Sequence, residues 1–350
     1  MAEQAREDVP SRKKYFYPIV DLLRDYLVKY DREVKLPVQY SDLLRFNLHT
    51  PLLNKDGKDT LWQTVYYDQS EMRELFPSLT YIYALLHTDG DIEVMEHLSV
   101  ARIDYCTFGN SRPFRIRIIN RLNDNYDHFY IKTADASRVY GLELEHILSP
   151  NRIIYLTSGD TLIEEHIPGL PGDVFIDHRL NTSKFNQIRI CKEFVKFNER
   201  CFARLLGDMR SYNFVVDITP DIEGNQYRIR AIDFDQQSYE GRRKFYLPHF
   251  FKENNTLVNL GMKYINETTM RQYQEEERSL ISHRARAAAL RLNQLLEVMR
   301  TEEISPKEKV LSLALELGEH HKSHAFKHCQ NMGQILTEHL SLILTRTKLL

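Results

Sequence analysis

From Leu98 onward the apolar positions fall in short runs broken by turn residues: Val100–Phe108, Phe114–Asn120 and His128–Thr133, with Gly109-Asn110-Ser111 and Asn123-Asp124-Asn125 between them. Runs of this length, rich in β-branched and aromatic residues, predict a meander of three strands. A helical stretch follows from Ser137 to about Leu148. Two further extended runs, Arg152–Thr157 and Thr161–His166, flank the turn Ser158-Gly159-Asp160. After Pro168-Gly169-Leu170-Pro171-Gly172 the spacing is helical over Thr182–Leu206, gives strands at Asn213–Asp217 and Gln226–Ile232, and then becomes helical again. Ahead of Leu98 the pattern predicts a helix near Tyr15–Tyr30, an extended run Leu61–Tyr67, a helix near Ser70–Leu86 and a turn at Asp89-Gly90-Asp91. The expectation is an α+β chain in three regions: an α/β part over 1–95, a strand-rich part over 96–168 and a mainly helical part over 169–350.

Composition narrows the classes. With 42% apolar and 27% charged residues in 350, the chain is long enough for one large core or two ordinary ones. Lys plus Arg total 47 against 49 for Asp plus Glu, so the formal charge of −2 gives no global attraction to nucleic acid or to an anionic membrane. No segment reads as a signal peptide or an apolar span, and the expected location is cytoplasmic. Cys106, Cys191, Cys201 and Cys329 are scattered with no Cys-x-x-Cys pair, which predicts reduced, structural thiols.

The chemistry concentrates in Gly207-Asp208-Met209-Arg210-Ser211-Tyr212-Asn213 and, twenty residues on, Ile232-Asp233-Phe234-Asp235. An Asp with an Asn five positions later, followed by an Asp-Phe pair after two strands, is the spacing of a phosphoryl-transfer site. One carboxylate orients an attacking hydroxyl, while an amide oxygen and a second carboxylate hold magnesium against phosphates.

With these motifs the stretch from about Leu98 to Leu247 resembles the protein-kinase-like superfamily, and within it the small-molecule branch of aminoglycoside and choline kinases. The resemblance implies a two-lobed fold, with a five-stranded antiparallel small lobe, a mainly helical large lobe and an additional α/β N-terminal region. It implies ATP and Mg2+ as cofactors and a hydroxyl-bearing small molecule as acceptor. Asp208 and Arg210 would be catalytic, and Asn213, Asp233 and Asp235 would be metal ligands. Lys132, at the end of Phe129-Tyr130-Ile131-Lys132, would grip the α- and β-phosphates, paired with a carboxylate on the following helix. Glu143 and Glu145 both qualify; two apart, they face different ways, and Ile147-Leu148 favours Glu145 slightly. Gly109 would cover the phosphates, and Glu165 and Ile167 in Glu164-Glu165-His166-Ile167-Pro168-Gly169 would meet adenine through their backbone.

The chain also departs from the family pattern. Leu206 stands where the family usually has His, Asp235 where protein kinases have Gly, and no Ala-Pro-Glu follows. The last two departures turn the expectation from a protein acceptor toward a small molecule. Leu206, the single glycine at Gly109 and the open choice between Glu143 and Glu145 favour an alternative, an inactive pseudokinase binding a nucleotide or protein partners partly through the N-terminal region; a nucleotidyl-transferring enzyme would retain the same residues. Three cations in Tyr239-Glu240-Gly241-Arg242-Arg243-Lys244 suit an anionic ligand or an ordinary solvated loop. Separately, His320, His324 and His328 fall at i, i+4 and i+8, which predicts one helix face able to offer imidazoles to a metal or simply to pack. Ser305-Pro306-Lys307-Glu308 reads as an N-cap, a first-turn Pro and a capping-box Glu.

Overall fold

The computed structural model describes residues 14–345 apart from 55, 89–95, 109, 181–185 and 223. The chain is α+β and divides into a sheet unit, residues 18–135 and 153–166, and a helical unit, residues up to 17, 136–152 and 167 onward. The turn expected at Asp89-Gly90-Asp91, Gly109 and the first residues of the helix expected from Thr182 lie outside the described residues.

In the sheet unit, α1 (Asp21–Lys29) and α2 (Tyr40–Leu43) precede β1 (Leu48–Leu53), β2 (Asp59–Tyr66) and α3 (Gln69–Thr88). Then come β3 (Leu98–Cys106), β4 (Phe114–Asn120), β5 (Tyr126–Thr133), β6 (Tyr155–Ser158) and β7 (Thr161–Glu165). The seven strands form one antiparallel sheet in the order β1-β2-β3-β4-β5-β7-β6. Five were expected. The extra pair joins through Trp62 opposite Cys106, so the sheet runs through the boundary expected at residue 95. Alternation drives the packing: Phe114, Ile116 and Ile118 of β4 and Phe129 and Ile131 of β5 point into the core. Leu75, Leu79, Ile82 and Leu86 of α3, spaced at the helical period, belong to the same core. The first helix is shorter than Tyr15–Tyr30 because Pro18 disfavours helical backbone at Tyr17 and Val20 is extended.

The helical unit contains α4 (Ala136–Leu148), β8 (Leu170–Pro171), α5 (Gly172–His178), α6 (Gln187–Arg204), β9 (Phe214–Asp221) and β10 (Gly224–Ala231), and then α7 (Asn255–Tyr264) and α8 (Glu267–Ala287). It closes with α9 (Ala289–Met299), α10 (Lys307–His321) and α11 (Met332–Thr345). A small sheet runs β10-β9-β8. Asn186 caps α6, its side-chain oxygen accepting from the Arg189 N–H at 3.1 Å. Helix α4, expected beside the strands, belongs to this unit; it contacts α8 and α9 and is buried along almost its whole length. Ser305 does not cap α10; its hydroxyl donates to the Tyr239 carbonyl at 2.7 Å, and Pro306 precedes the helix. No helix among the described residues is long and apolar enough to cross a membrane.

Candidate active site

Two loops of the helical unit come together on backbone hydrogen bonds. Helix α6 stops at Leu205, whose left-handed φ of 53° turns the chain while Leu206 N–H donates back to Cys201 O at 2.9 Å. Leu206 then bridges Gln237, flanked by Gly207 N–H to Gln236 O at 3.2 Å and Ser238 N–H to Leu205 O at 2.8 Å. The register sets Asp208 alongside the segment Asp233–Gln237. Asp208 and Ser238 are also left-handed, with φ of 57° and 48°. Non-glycine residues in this conformation cost energy and are held only where the surroundings impose it.

The Asp208 loop is stapled internally. Asn213 Nδ2 donates to the Asp208 carbonyl at 2.7 Å, which turns its amide oxygen away from that bond. Arg210 Nε donates to Asp208 Oδ1 at 2.8 Å, and Arg210 Nη1 pairs with Glu253 Oε1 at 2.7 Å. Burial pushes the Asp208 carboxyl up to about 6; Arg210 opposes the rise, and the charges of Asp233 and Glu240 add to it. Gly172, at the start of α5, makes room for the loop. A Cβ there would lie 2.4 Å from the Ser211 carbonyl and 2.3 Å from the Phe214 ring.

Helix α4 clamps the acid loop. The Ser137 hydroxyl donates to Gln237 O at 2.6 Å. Arg138 Nη1 donates to Asp233 Oδ1 at 2.9 Å and to Asp235 Oδ1 at 2.7 Å, and Nη2 reaches Ile232 O at 3.4 Å. One turn on, Gly141 lets Phe234 approach, since a Cβ there would lie 3.0 Å from Phe234 Cβ. Sequence reading passed over Arg138 and Glu253. The available signal for Arg138 was a lone arginine at the start of an apolar helix.

The other expected residues have partners within their own units. Lys132 Nζ pairs with Glu164 Oε2 at 2.8 Å inside the sheet unit, where Leu162 sits opposite Lys132 and Glu164 two positions on. The pair lies on a diagonal between neighbouring strands, a register that only the fold sets. In the helical unit, Glu143 takes a two-bond contact from Arg291 at 2.8 and 3.0 Å, and Glu145 pairs with Arg204 of α6. Glu165 accepts from the Ile154 N–H at 2.9 Å. The chain passes from the sheet unit to the helical unit between His166 and Ile167, inside the expected hinge. Of the three cations after Glu240, Arg242 pairs with Glu316, and the Arg243 N–H donates to the same carboxylate at 2.7 Å.

The expected histidine face does not form. Helix α10 ends at His321, Lys322 turns the chain with φ of 54°, and His324 and His328 fall beyond the helix. No group of three or more His, Cys, Asp or Glu among the described residues is placed to hold a metal. Instead His321 Nε2 meets His339 Nδ1 at 2.8 Å, and His339 Nε2 donates to the Phe202 carbonyl at 2.9 Å.

Compared with known proteins, the chain matches no family model, and no curated protein matches it.

Proposed function

We propose that the chain is an ATP- and Mg2+-dependent phosphotransferase that acts on a hydroxyl of a small molecule. The observation that carries the reading is the pairing of the two loops: Asn213 Nδ2 bonded to the Asp208 carbonyl, beside an acid loop held in register by the Leu206–Gln237 bridge. With its nitrogen engaged, Asn213 presents an amide oxygen. With the Asp233 carboxylate it would offer the oxygen donors that a hard divalent ion takes together with phosphate oxygens. That ion, when bound, supplies neutralisation of the phosphate charge.

Asp208 serves as the base. With a pKa near 6 it is mostly ionised at neutral pH and basic enough to draw a proton from a bound hydroxyl. The hydroxyl oxygen bonds to the γ-phosphorus as the bond to the bridging oxygen breaks and ADP departs; the proton goes to Asp208 and then to water. Arg210, restrained by Glu253, fixes the rotamer of that carboxylate.

A second reading, a nucleotide-binding module without turnover, draws support from the guanidinium already seated on Asp233 and Asp235. Nucleotidyl transfer would use the same residues and differ in its product. The test is ATP binding by thermal shift with and without Mg2+, followed by product analysis on a panel of hydroxyl compounds. Asp208→Asn is expected to lower turnover by about 10³-fold, within the range of acid–base effects, while leaving nucleotide affinity near wild type. Wild-type turnover in that variant would remove Asp208 from the mechanism. ATP binding with no transfer would favour the module.

A further inference from the structure

We infer that Arg138 is a resident cation of the acid loop that takes the place of a second divalent ion, so that Asp235 serves the guanidinium and the site binds one ion. The inference rests on the phosphotransferase reading for its nucleotide, and on the geometry for its cation.

Two acidic side chains two residues apart, with a buried Phe234 between them, repel each other unless a positive charge lies between them. Here that charge is built in. The Arg138 side chain is 1% exposed, and a single nitrogen, Nη1, lies within hydrogen-bond distance of an oxygen from each carboxylate. Helix α4 delivers it rigidly, since Ser137 and Gly141 lock the same helix face against Gln237 and Phe234.

The two carboxylates are not equivalent. Asp233 is 36% exposed and Asp235 14%. A divalent ion on Asp235 Oδ1 would sit roughly 2.1 Å from that oxygen and would face a fixed positive charge bonded to the same atom. The same nitrogen bonds Asp233 Oδ1 at 2.9 Å, but Asp233 is the more exposed of the two and is the carboxylate assigned to the single ion. Arg138 is therefore a positioning residue: it orients Asp233 and supplies charge that phosphotransferases with two ions take from metal.

The test counts ions. The free Mn2+ signal in electron paramagnetic resonance is titrated against the full chain, with Mn2+ alone and with Mn2+ plus adenylyl imidodiphosphate. With the nucleotide analogue, wild type is expected to bind one Mn2+ per chain and Arg138→Gln two; Arg138→Lys, which keeps the charge, should stay at one. Adding Asp235→Asn to Arg138→Gln should return the count to one. Two ions in the wild type, or equal counts in the wild type and Arg138→Gln, would overturn the inference. If Arg138→Gln does not fold, Asp235→Asn alone decides, since retention of the single ion supports the assignment and its loss overturns it. If neither protein binds the analogue, the phosphotransferase reading fails by itself. The Mn2+-only arm then decides on Arg138: an extra ion in Arg138→Gln supports it, and equal counts overturn it.

Discussion

The Asp208 loop and the His321–His339 pair both bury titratable groups in the helical unit, and they do so to different ends. At Asp208 the backbone is left-handed, the side chain remains 22% exposed, and burial with two neighbouring acids brings the carboxyl near 6. At His339 the ring is 0% exposed, one nitrogen donates to a carbonyl, the other faces a second imidazole, and burial pulls the group down to about 3. The first group changes charge near neutral pH at an edge that meets water. The second stays neutral down to about pH 3. Burial of titratable groups therefore has two outcomes here: at Asp208 it comes with left-handed backbone and partial exposure, at His339 with complete enclosure.

The sharpest way to break this contrast is to remove the support beneath the strained loop. Gly172→Ala places a methyl group against a carbonyl and a ring that have little room to move, and is expected to destabilise the protein by about 3 kcal/mol in urea unfolding. Near-wild-type stability would mean that the loop yields easily.

Asp208→Asn sharpens the contrast from the other side. The folded carboxyl keeps its proton up to about pH 6 and the unfolded one releases it near 3.8, so the folded state loses stability as pH rises between those values. The variant should be more stable than wild type by about 2 kcal/mol at pH 8, with the gap closing below pH 4. An Asn that destabilises equally at both pH values would show that the carboxylate is structural.

The most gradual effect is expected at the sealed pair, where it is read as a slope with pH. Below about pH 6.5 the unfolded imidazole of His339 takes up a proton that the folded one refuses until about 3. Its contribution then erodes wild-type stability by up to about 1.4 kcal/mol per pH unit on acidification. His339→Gln should show a shallower acid limb than wild type between pH 6 and 4, and parallel limbs would contradict the neutral ring.

What was legible in the sequence was local. The strands at Phe114–Asn120 and His128–Thr133 follow from their apolar and turn residues, and the helix from Ser137 is present within one residue of its expected bounds. β1 was missed because it is mostly exposed and contains Pro51, which leaves little alternation to read. The Asp208 and Asp233 loops were expected together from the order of the motifs, and they meet because strands β9 and β10 pair antiparallel from Phe214 opposite Ala231. The partners of the charged groups were not legible. Arg138 with Asp233, Glu143 with Arg291 and Lys132 with Glu164 are contacts over 95, 148 and 32 positions, and nothing in a local period encodes them. The histidine face failed for a local reason, a left-handed Lys322 that spacing alone does not reveal.

The chain crosses between its two units at Tyr17–Pro18, Asp135–Ala136, Arg152–Ile153 and His166–Ile167, so each unit is assembled from separated stretches of sequence. No single continuous gene segment encodes either one. A break in the chain between β1 and β7 therefore parts the strands of the sheet unit from one another, and a break inside helix α4 divides the helical unit as well.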